Sequence, residues 1–170
     1  MLNGSLLKKS RIKIFCAFFF ILLNISSVYA WHDETHLAVA RAAGYKKWYN
    51  AAGADITKIK AGRREQNNHY FNNNDNAEVS PQMVMSQISR YNDPADMEGH
   101  LYGAIIASLR EYKKTSQNGK YPEYHAAFCA HYVGDLSQPL HNTPYDDFNK
   151  TYHGTNDGIV EDEVLKNISL

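Results

Sequence analysis

The sequence predicts an all-α protein with a single domain. Apolar side chains recur every three or four residues, the spacing that places them on one face of a helix, most clearly in DMEGHLYGAIIASLREYKK (96–114). No segment shows the sustained alternation of apolar and polar residues that indicates a half-buried strand. A chain of 170 residues also has the usual size of one domain, and no internal repeat indicates a solenoid.

The amino-terminal end has the features of a secretory leader. The first thirteen residues carry four basic and no acidic side chains, and the next ten are apolar. Val28 and Ala30 then supply the small side chains that precede a signal-peptidase site. We therefore predict a signal peptide over residues 1–30, a mature domain over 31–170 and a secreted or periplasmic location. An uncleaved membrane anchor is the alternative, but the apolar run is short for a span.

The composition of the predicted mature domain restricts its partners. Without the leader, 14 Lys and Arg side chains stand against 18 Asp and Glu, a formal net charge of −4. Such a chain has no evident basic surface for binding a nucleic acid duplex or an anionic membrane. Cys129 is its one cysteine, which excludes an intramolecular disulfide. Small secreted domains without disulfides often depend on bound metal for stability.

Five segments are predicted to be helical. They cover residues 34–49, 82–91, 96–114, 122–135 and 157–167. Ser80 and Pro81 have the residue types of an N-cap and a first helical position, so they mark the start of the second helix. The predicted core stripe of the third helix consists of Leu101, Ile105, Ile106 and Leu109. Polar segments join the helices, and the one over 142–156 is predicted to be a loop that leads to His153.

Three histidines have an acidic residue one helical turn away. The pairs are Glu65 with His69, His131 with Asp135, and His153 with Asp157. Residues four apart lie on the same face of a helix, so each pair offers a nitrogen and an oxygen to one point in space. Zinc binds this combination of ligands. Coincidence is the alternative, because the spacing of a single pair has little specificity.

The segment HYVGDLSQPLH, residues 131–141, carries the most specific pattern. It resembles the signature H-x-x-G-D-x-x-Q-P-x-H of zinc-dependent phospholipase C and of the single-strand-specific nucleases that share its fold. Those proteins then have a histidine with an acid four residues later, as His153 and Asp157 stand here. The pattern implies a metal-dependent hydrolase of the same helical type.

Two further features extend this resemblance over the predicted mature domain. The family's mature chain begins with tryptophan and has a histidine shortly afterwards, like Trp31 and His36 here. It also has a histidine followed by aromatic residues, like His69. In the family the tryptophan binds metal through its free α-amine and its carbonyl oxygen. The resemblance therefore implies that this ligand exists only after the leader has been removed.

The resemblance implies three zinc ions in a helical domain that is shortened at its carboxyl terminus. The implied ligands are Trp31, His36 and Asp135 for the first ion, His69, His131 and Asp135 for the second, and His141, His153 and Asp157 for the third. The second ion needs one more carboxylate, for which Asp55 and Glu65 are the candidates. Asp55 stands at a family-like distance before His69, whereas Glu65 is one turn before it and is slightly preferred. Asn72 departs from the family, which commonly has aspartate there.

The activity that the resemblance implies is zinc-dependent hydrolysis of phosphate esters by a monomer. Zinc ions would activate water and neutralise phosphate oxygens, with Asp135 as a bridging ligand. Whichever of Asp55 and Glu65 completes the second set would orient or deprotonate the water. Phospholipids and single-stranded nucleic acids or nucleotides are both open as substrates, and no stable membrane insertion is expected after leader cleavage. The alternative is a zinc-binding helical module with little or no catalytic activity.

Overall fold

Helices make up most of the structure, a computed structural model that describes residues 33–118 and 121–167. The α-helices are α1 (Asp33–Ala42), α2 (Gly53–Ala61), α3 (Arg63–Gln66), α4 (Pro81–Gln87), α5 (Leu101–Asn118), α6 (Pro122–Ser137), α7 (Asp147–Gly158) and α8 (Glu161–Asn167). Short 3-10 helices lie at Trp48–Asn50, Ile88–Arg90 and Pro139–His141. Within these residues the β-type pairing is confined to one isolated bridge between Phe71 and Gly99. The all-α class is therefore confirmed, whereas the predicted leader over 1–30 lies outside the described residues.

Helices α5 and α6 pack against each other more extensively than any other pair of elements in the described chain. Together with Ala54 of α2 and Phe71 they form the apolar core, to which they contribute Leu101, Ala104, Ala127, Phe128 and Tyr132. Alanine is frequent in this core, and small side chains allow helix backbones to approach closely. Apart from Tyr132 and Leu101, the larger fully buried side chains in the described chain are polar. Polar interactions must therefore hold much of the interior together.

The predicted core stripe of the third helix is partly wrong. Leu101 is fully buried, but Leu109 is 55% exposed. The buried face of α5 consists instead of Leu101, Gly103, Ala104, Ala107 and Ser108. This face consists mostly of small residues because α5 lies close to a neighbouring backbone. A Cβ at Gly103 would lie only 2.2 Å from the backbone oxygen of Gln87. Close approach of the two backbones, rather than the widest apolar stripe, decides which face of α5 is buried.

Helix α1 is shorter than the sequence predicted. It ends at Ala42 instead of continuing to residue 49. Gly44 follows with φ +74°, a left-handed conformation that glycine adopts without steric cost and that commonly terminates helices. The chain then continues through the 3-10 helix Trp48–Asn50 towards α2.

Two helices are capped by side chains that precede them. The prediction for α4 is confirmed, because Ser80 Oγ accepts a hydrogen bond of 3.2 Å from the backbone nitrogen of Met83. Helix α7 occupies most of the segment that was predicted to be a loop, and that prediction is wrong. Asp146 caps it by accepting a hydrogen bond of 2.9 Å from the backbone nitrogen of Asn149. Such caps satisfy an amide that the first helical turn leaves unpaired.

Helix α2 was not predicted from the sequence. Its large apolar residues Ile56 and Ile59 are 60% and 85% exposed, whereas the small Ala54 lies on its buried side. Gly62 ends it with φ +55°. No helix within residues 33–118 and 121–167 combines the length and the apolar character needed to cross a membrane.

Candidate metal centre

Histidine and aspartate side chains from most of the chain converge beside α6. His131 and Asp135 lie one turn apart on this helix and are fully buried. Helix α1, α2, the segment after α3, the 3-10 helix after α6, and α7 supply His36, Asp55, His69, His141, His153 and Asp157. These side chains form three groups in which the potential ligand atoms lie within 4.8 Å of one another. Each group offers nitrogen and oxygen atoms placed to hold a metal ion.

The first group consists of His36, His131 and Asp135. Nε2 of His36 lies 3.4 Å from Oδ1 of Asp135, and the His36 ring stacks on the His131 ring at 3.6 Å between centroids. Helix α1 approaches α6 at Gly134, where a Cβ would lie 2.6 Å from Nδ1 of His36. The glycine of the H-x-x-G-D pattern thus makes room for His36.

The second group consists of Asp55, His69 and His131. Oδ1 of Asp55 lies 3.6 Å from Nδ1 of His69 and 3.5 Å from Nε2 of His131. The two histidine nitrogens are 3.2 Å apart. Ligands that surround one zinc ion tetrahedrally at 2.0–2.2 Å are separated by roughly 3.4 Å. The separations in this group are therefore those of atoms that share one small cation.

Glu65 lies outside the three groups, on the opposite side of the His69 ring. Its Oε1 is 3.3 Å from Nε2 of His69, whereas Nδ1 of that ring faces Asp55 and Asp135. One imidazole cannot direct both ring nitrogens at the same ion. The geometry consequently favours Asp55 as the carboxylate of the second group, against the slight preference for Glu65 that the one-turn spacing suggested.

The third group consists of His141, His153 and Asp157. Nε2 of His153 lies 3.3 Å from Oδ2 of Asp157, and Nε2 of His141 lies 3.9 Å from Oδ1. The Gln138 side chain amide donates a short hydrogen bond to Oδ1 of Asp157, and its oxygen accepts one from the backbone nitrogen of Leu140. The glutamine of the Q-P-x-H pattern therefore ties the turn that carries His141 to α7.

Asp135 connects the groups because its carboxylate lies among four histidines. Oδ2 is 2.8 Å from Nδ1 of His69 and 3.4 Å from Nε2 of His131. Oδ1 is 3.4 Å from Nε2 of His36 and 3.6 Å from Nδ1 of His141. Burial raises the pKa of this carboxyl, but the surrounding imidazoles outweigh burial and hold it well below its usual range. Asp135 is thus an anion available to bridge two cations.

Three of the histidines are fixed by a hydrogen bond from the ring nitrogen that points away from the groups. Nδ1 of His131 donates to the backbone oxygen of Ala51 at 2.7 Å, and Nδ1 of His141 donates to the backbone oxygen of His69 at 2.6 Å. Nδ1 of His153 donates to the side chain oxygen of Asn149 at 2.8 Å. A proton on Nδ1 leaves the lone pair on Nε2, so each ring presents a metal-binding nitrogen.

Several polar atoms of the three groups have no hydrogen-bonding partner although they are buried. They include Nε2 of His36, Oδ1 of Asp135, Nε2 of His141 and Oδ2 of Asp157. Buried polar atoms are normally paired, because leaving one unpaired is costly. These orphaned atoms point into the groups, so a cation there would satisfy them. The donor set fits zinc, which takes imidazole nitrogen and carboxylate oxygen.

The electrostatics of the groups also suit a cation. Burial, assisted by the neighbouring His131, lowers the pKa of His36 to about 4. Burial likewise lowers the pKa of His153 to about 4. Both imidazoles are therefore neutral at pH 7 and can donate a lone pair. Burial raises the pKa of Asp157 to about 7, as expected for a buried carboxyl that lacks a positive partner.

Lys58 is a candidate functional residue that the sequence did not single out. It lies one turn after Asp55 on α2, and its Nζ makes a short ion pair with Oδ1 of that residue. Its side chain is 21% exposed, compared with 17% for Asp55 and 16% for His153. Asp55 and His153 are therefore the most exposed side chains of the three groups, whereas Asp135 and His131 are fully buried. The sequence feature that could have identified Lys58 is its position three residues after Asp55, which places both side chains on one face of a helix.

The structure bears differently on two further residues that the sequence analysis singled out, Trp31 and Asn72. Trp31 lies outside the described residues, so its predicted role as a ligand stays a prediction. Asn72 is described, and it contacts the segment around residue 97 rather than the metal-binding groups. Its backbone nitrogen donates to Glu98 O at 2.7 Å, and its side chain donates to Met97 O at 3.3 Å.

In comparisons with known proteins, no family model, curated protein or solved structure matches this chain. The likeness to zinc-dependent phospholipase C and single-strand-specific nucleases therefore remains an interpretation of the motifs. The geometry of the three groups is independent of that interpretation, because it follows from the positions of the side chains.

Proposed function

We propose that this protein is a secreted or periplasmic hydrolase of phosphate esters that uses three zinc ions. The observation that carries the proposal is the set of three histidine–carboxylate groups joined through His131 and Asp135. Adjacent cations of this kind suit phosphate chemistry, in which charge develops on several oxygens at once. The motif in residues 131–141 and the orphaned atoms of the groups support the same reading.

The ligands would divide among the ions as the resemblance implies, with Asp55 as the further carboxylate of the second ion. His36 and Asp135 would hold the first ion together with the backbone of Trp31. Asp55, His69, His131 and Asp135 would hold the second, and His141, His153 and Asp157 the third. Zinc at these positions supplies a Lewis acid that lowers the pKa of water and neutralises phosphate oxygens.

Residues of the chain itself would position the substrate and move its protons. Asp55 and His153 are the most exposed side chains of the groups, and Lys58 lies beside Asp55, so the phosphate ester would enter there. The Lys58 ammonium is placed to pair with a non-bridging phosphate oxygen once a cation competes for Asp55. The Asp55 carboxylate is the partly exposed base beside that position, and it orients the attacking water. Asp135 remains an unprotonated anion in the interior and holds the groups together.

The test is turnover by protein that begins at Trp31 and has been loaded with zinc. Bis-p-nitrophenyl phosphate, a phosphatidylcholine analogue and single-stranded DNA distinguish a general phosphodiesterase from a lipid-specific and a nucleic-acid-specific enzyme. Asp55→Asn is expected to abolish turnover on every substrate that the wild type cleaves. No turnover on any of them would contradict the proposal.

The variant Lys58→Gln tests whether the positive charge of Lys58 contributes to turnover independently of zinc binding. Because Lys58 is not a ligand, the variant is expected to keep its zinc content while turnover falls on the order of 100-fold, the effect of removing one group that stabilises developing charge. Lys60→Gln is the matched control, since Lys60 lies on the same helix and is exposed. Equal turnover in both variants would remove Lys58 from the mechanism.

A second candidate function is a zinc-binding module without catalysis. The observation that favours it is Asn72, whose side chain amide contacts the neighbouring loop instead of contributing a carboxylate to the site. Full zinc loading of the wild type without turnover on any of the three substrates would favour this module.

A further inference from the structure

His69 is turned around relative to the other histidines of the centre. His131, His141 and His153 donate from Nδ1 to fixed oxygen atoms and present Nε2 to the groups. His69 instead presents Nδ1, which lies 2.8 Å from Oδ2 of Asp135. An imidazole that binds metal through Nδ1 carries its proton on Nε2. A group beside Nε2 that can accept this proton would therefore help to fix the orientation of the ring.

Glu65 occupies that position. Its Oε1 lies 3.3 Å from Nε2 of His69, and the residue is 4% exposed. Tyr132 donates a hydrogen bond of 2.6 Å to the same oxygen, and Asn68 donates one of 3.4 Å to the other. A buried carboxylate is costly unless it is hydrogen-bonded. These two hydrogen bonds fix the position of the Glu65 carboxylate.

The support for Glu65 continues away from the metal centre. Asn68 Oδ1 accepts a hydrogen bond of 2.8 Å from Nε2 of the buried His100. The other ring nitrogen of His100 lies 2.8 Å from Oδ2 of Asp96, which in turn pairs with Arg90 at 3.0 Å. The network thus reaches a partly exposed arginine. Each member is fixed by the next, so Glu65 has little freedom to move towards the groups.

We propose that Glu65 is a positioning residue that fixes the His69 ring with Nδ1 directed at the metal centre. The Glu65 carboxylate lies 3.3 Å from Nε2 without a hydrogen bond of good geometry in the metal-free chain. A small rotation of the ring when metal binds Nδ1 would let Glu65 accept the Nε2 proton, which would hold the ring in place and make Nδ1 a stronger donor. A carboxylate behind a metal-binding imidazole has these effects generally. The inference rests on the zinc binding that the proposed function requires, but it does not require catalysis.

The test is the zinc affinity of Glu65→Gln, measured by competition with a chelator on protein that begins at Trp31. Loss of the carboxylate is expected to weaken the binding of one ion by about 10- to 100-fold, as for other residues that support a ligand. Glu65→Asp keeps the charge and is expected to lie between this variant and the wild type. Glu78→Gln is the control, because Glu78 is exposed, and its affinity is expected to equal that of the wild type.

A spectroscopic measurement on the wild type is independent of any variant. In protein labelled with ¹⁵N, long-range proton–nitrogen correlations of the zinc-loaded His69 ring should show a metal-bound Nδ1 and a protonated Nε2. Metal on Nε2 would overturn the inference, as would a folded Glu65→Gln with wild-type affinity. If Glu65→Gln fails to fold, Glu65→Asp and the wild-type spectrum decide the question. Absence of turnover in the wild type would contradict the proposed function alone.

Discussion

At the scale of single residues, Gly134 shows how the α6 motif depends on packing as well as on ligands. The residue has no side chain because the His36 ring of α1 occupies the space beside it. The neighbouring Asp135 is a ligand candidate, so the two adjacent positions serve different purposes. Asp135 supplies the carboxylate, and Gly134 allows His36 to approach it.

Gly134→Ala is therefore expected to displace α1 and to reduce the zinc content by about one ion per chain. Overpacking of this kind typically lowers the free energy of unfolding by about 1–3 kcal/mol. Elemental analysis and urea denaturation measure the two effects. The matched control is Gly154→Ala on α7, where a Cβ meets no atom within 4 Å, and this variant is expected to retain all its zinc. A normal zinc content in Gly134→Ala would contradict this account of His36.

Also at this scale, the ligand types could be predicted from the sequence, but their assignment could not. The one-turn pairs of His131 with Asp135 and of His153 with Asp157 follow from helical geometry. The choice between Asp55 and Glu65 depends on which nitrogen of the His69 ring faces inward. Nδ1 of that ring lies beside Asp55 and Asp135, and Nε2 lies beside Glu65. The one-turn spacing of Glu65 from His69 does not show which of the two nitrogens faces the groups, so it could not decide between the two carboxylates.

At the scale of elements, α7 is the helix on which the third group depends. His153 and Asp157 are four residues apart on it, and Asp146 caps its first turn. The helix was not predicted because its apolar side chains form no clear stripe and its sequence is rich in residues typical of turns. Its stability therefore depends on the cap and on packing contacts, which include the hydrogen bond of 2.7 Å from the Asn149 side chain to Leu140 O.

Asp146→Ala is expected to lower the free energy of unfolding by about 1 kcal/mol, the usual effect of losing an N-cap. Because α7 carries two ligands of the third group, zinc binding there should weaken as the first turn frays. Chemical denaturation and competition with a chelator check the two effects. Asp147→Ala is the control, since that side chain is fully exposed and pairs only loosely with Lys150 at 3.5 Å. Equal effects of the two substitutions would exclude a specific role for the cap.

At the scale of the whole molecule, the interior is held together by polar groups that a cation would complete. Histidines and carboxylates of the first two groups lie where α1 and α2 contact α6. Those of the third group lie between α7 and the 3-10 helix that carries His141. Without a cation, several buried polar atoms of the groups have no hydrogen-bonding partner. If the groups bind metal, metal binding and folding are expected to be linked.

Removal of zinc by a chelator is expected to destabilise the entire domain rather than only the site. Each ion present at about 100 times its dissociation constant contributes about 2.7 kcal/mol to the free energy of unfolding. Urea denaturation with and without chelator measures the difference. Restoring zinc should restore the stability. An unchanged unfolding midpoint would show that the groups do not bind metal in the folded state.

The amino terminus provides a second prediction at this scale. If the free α-amine of Trp31 is a ligand, protein that begins there should bind about one zinc ion more than protein with one extra residue in front. Elemental analysis of the two forms gives the answer. Their unfolding midpoints in the presence of chelator serve as the control, since these should be equal. Equal zinc contents would remove the terminal amine from the site.

The sequence by itself determined the all-α class, the cap of α4 and the histidine and aspartate ligands that could meet in one centre. These features follow from local rules, namely helical periodicity, capping chemistry and the one-turn spacing of ligand pairs. Only the tertiary structure decided that Asp55 joins His69 and His131, and that Nδ1 rather than Nε2 of His69 faces this group. The first relation joins residues that are distant along the chain, and the second depends on how the ring is turned within the packed interior. Local spacing specifies neither of them.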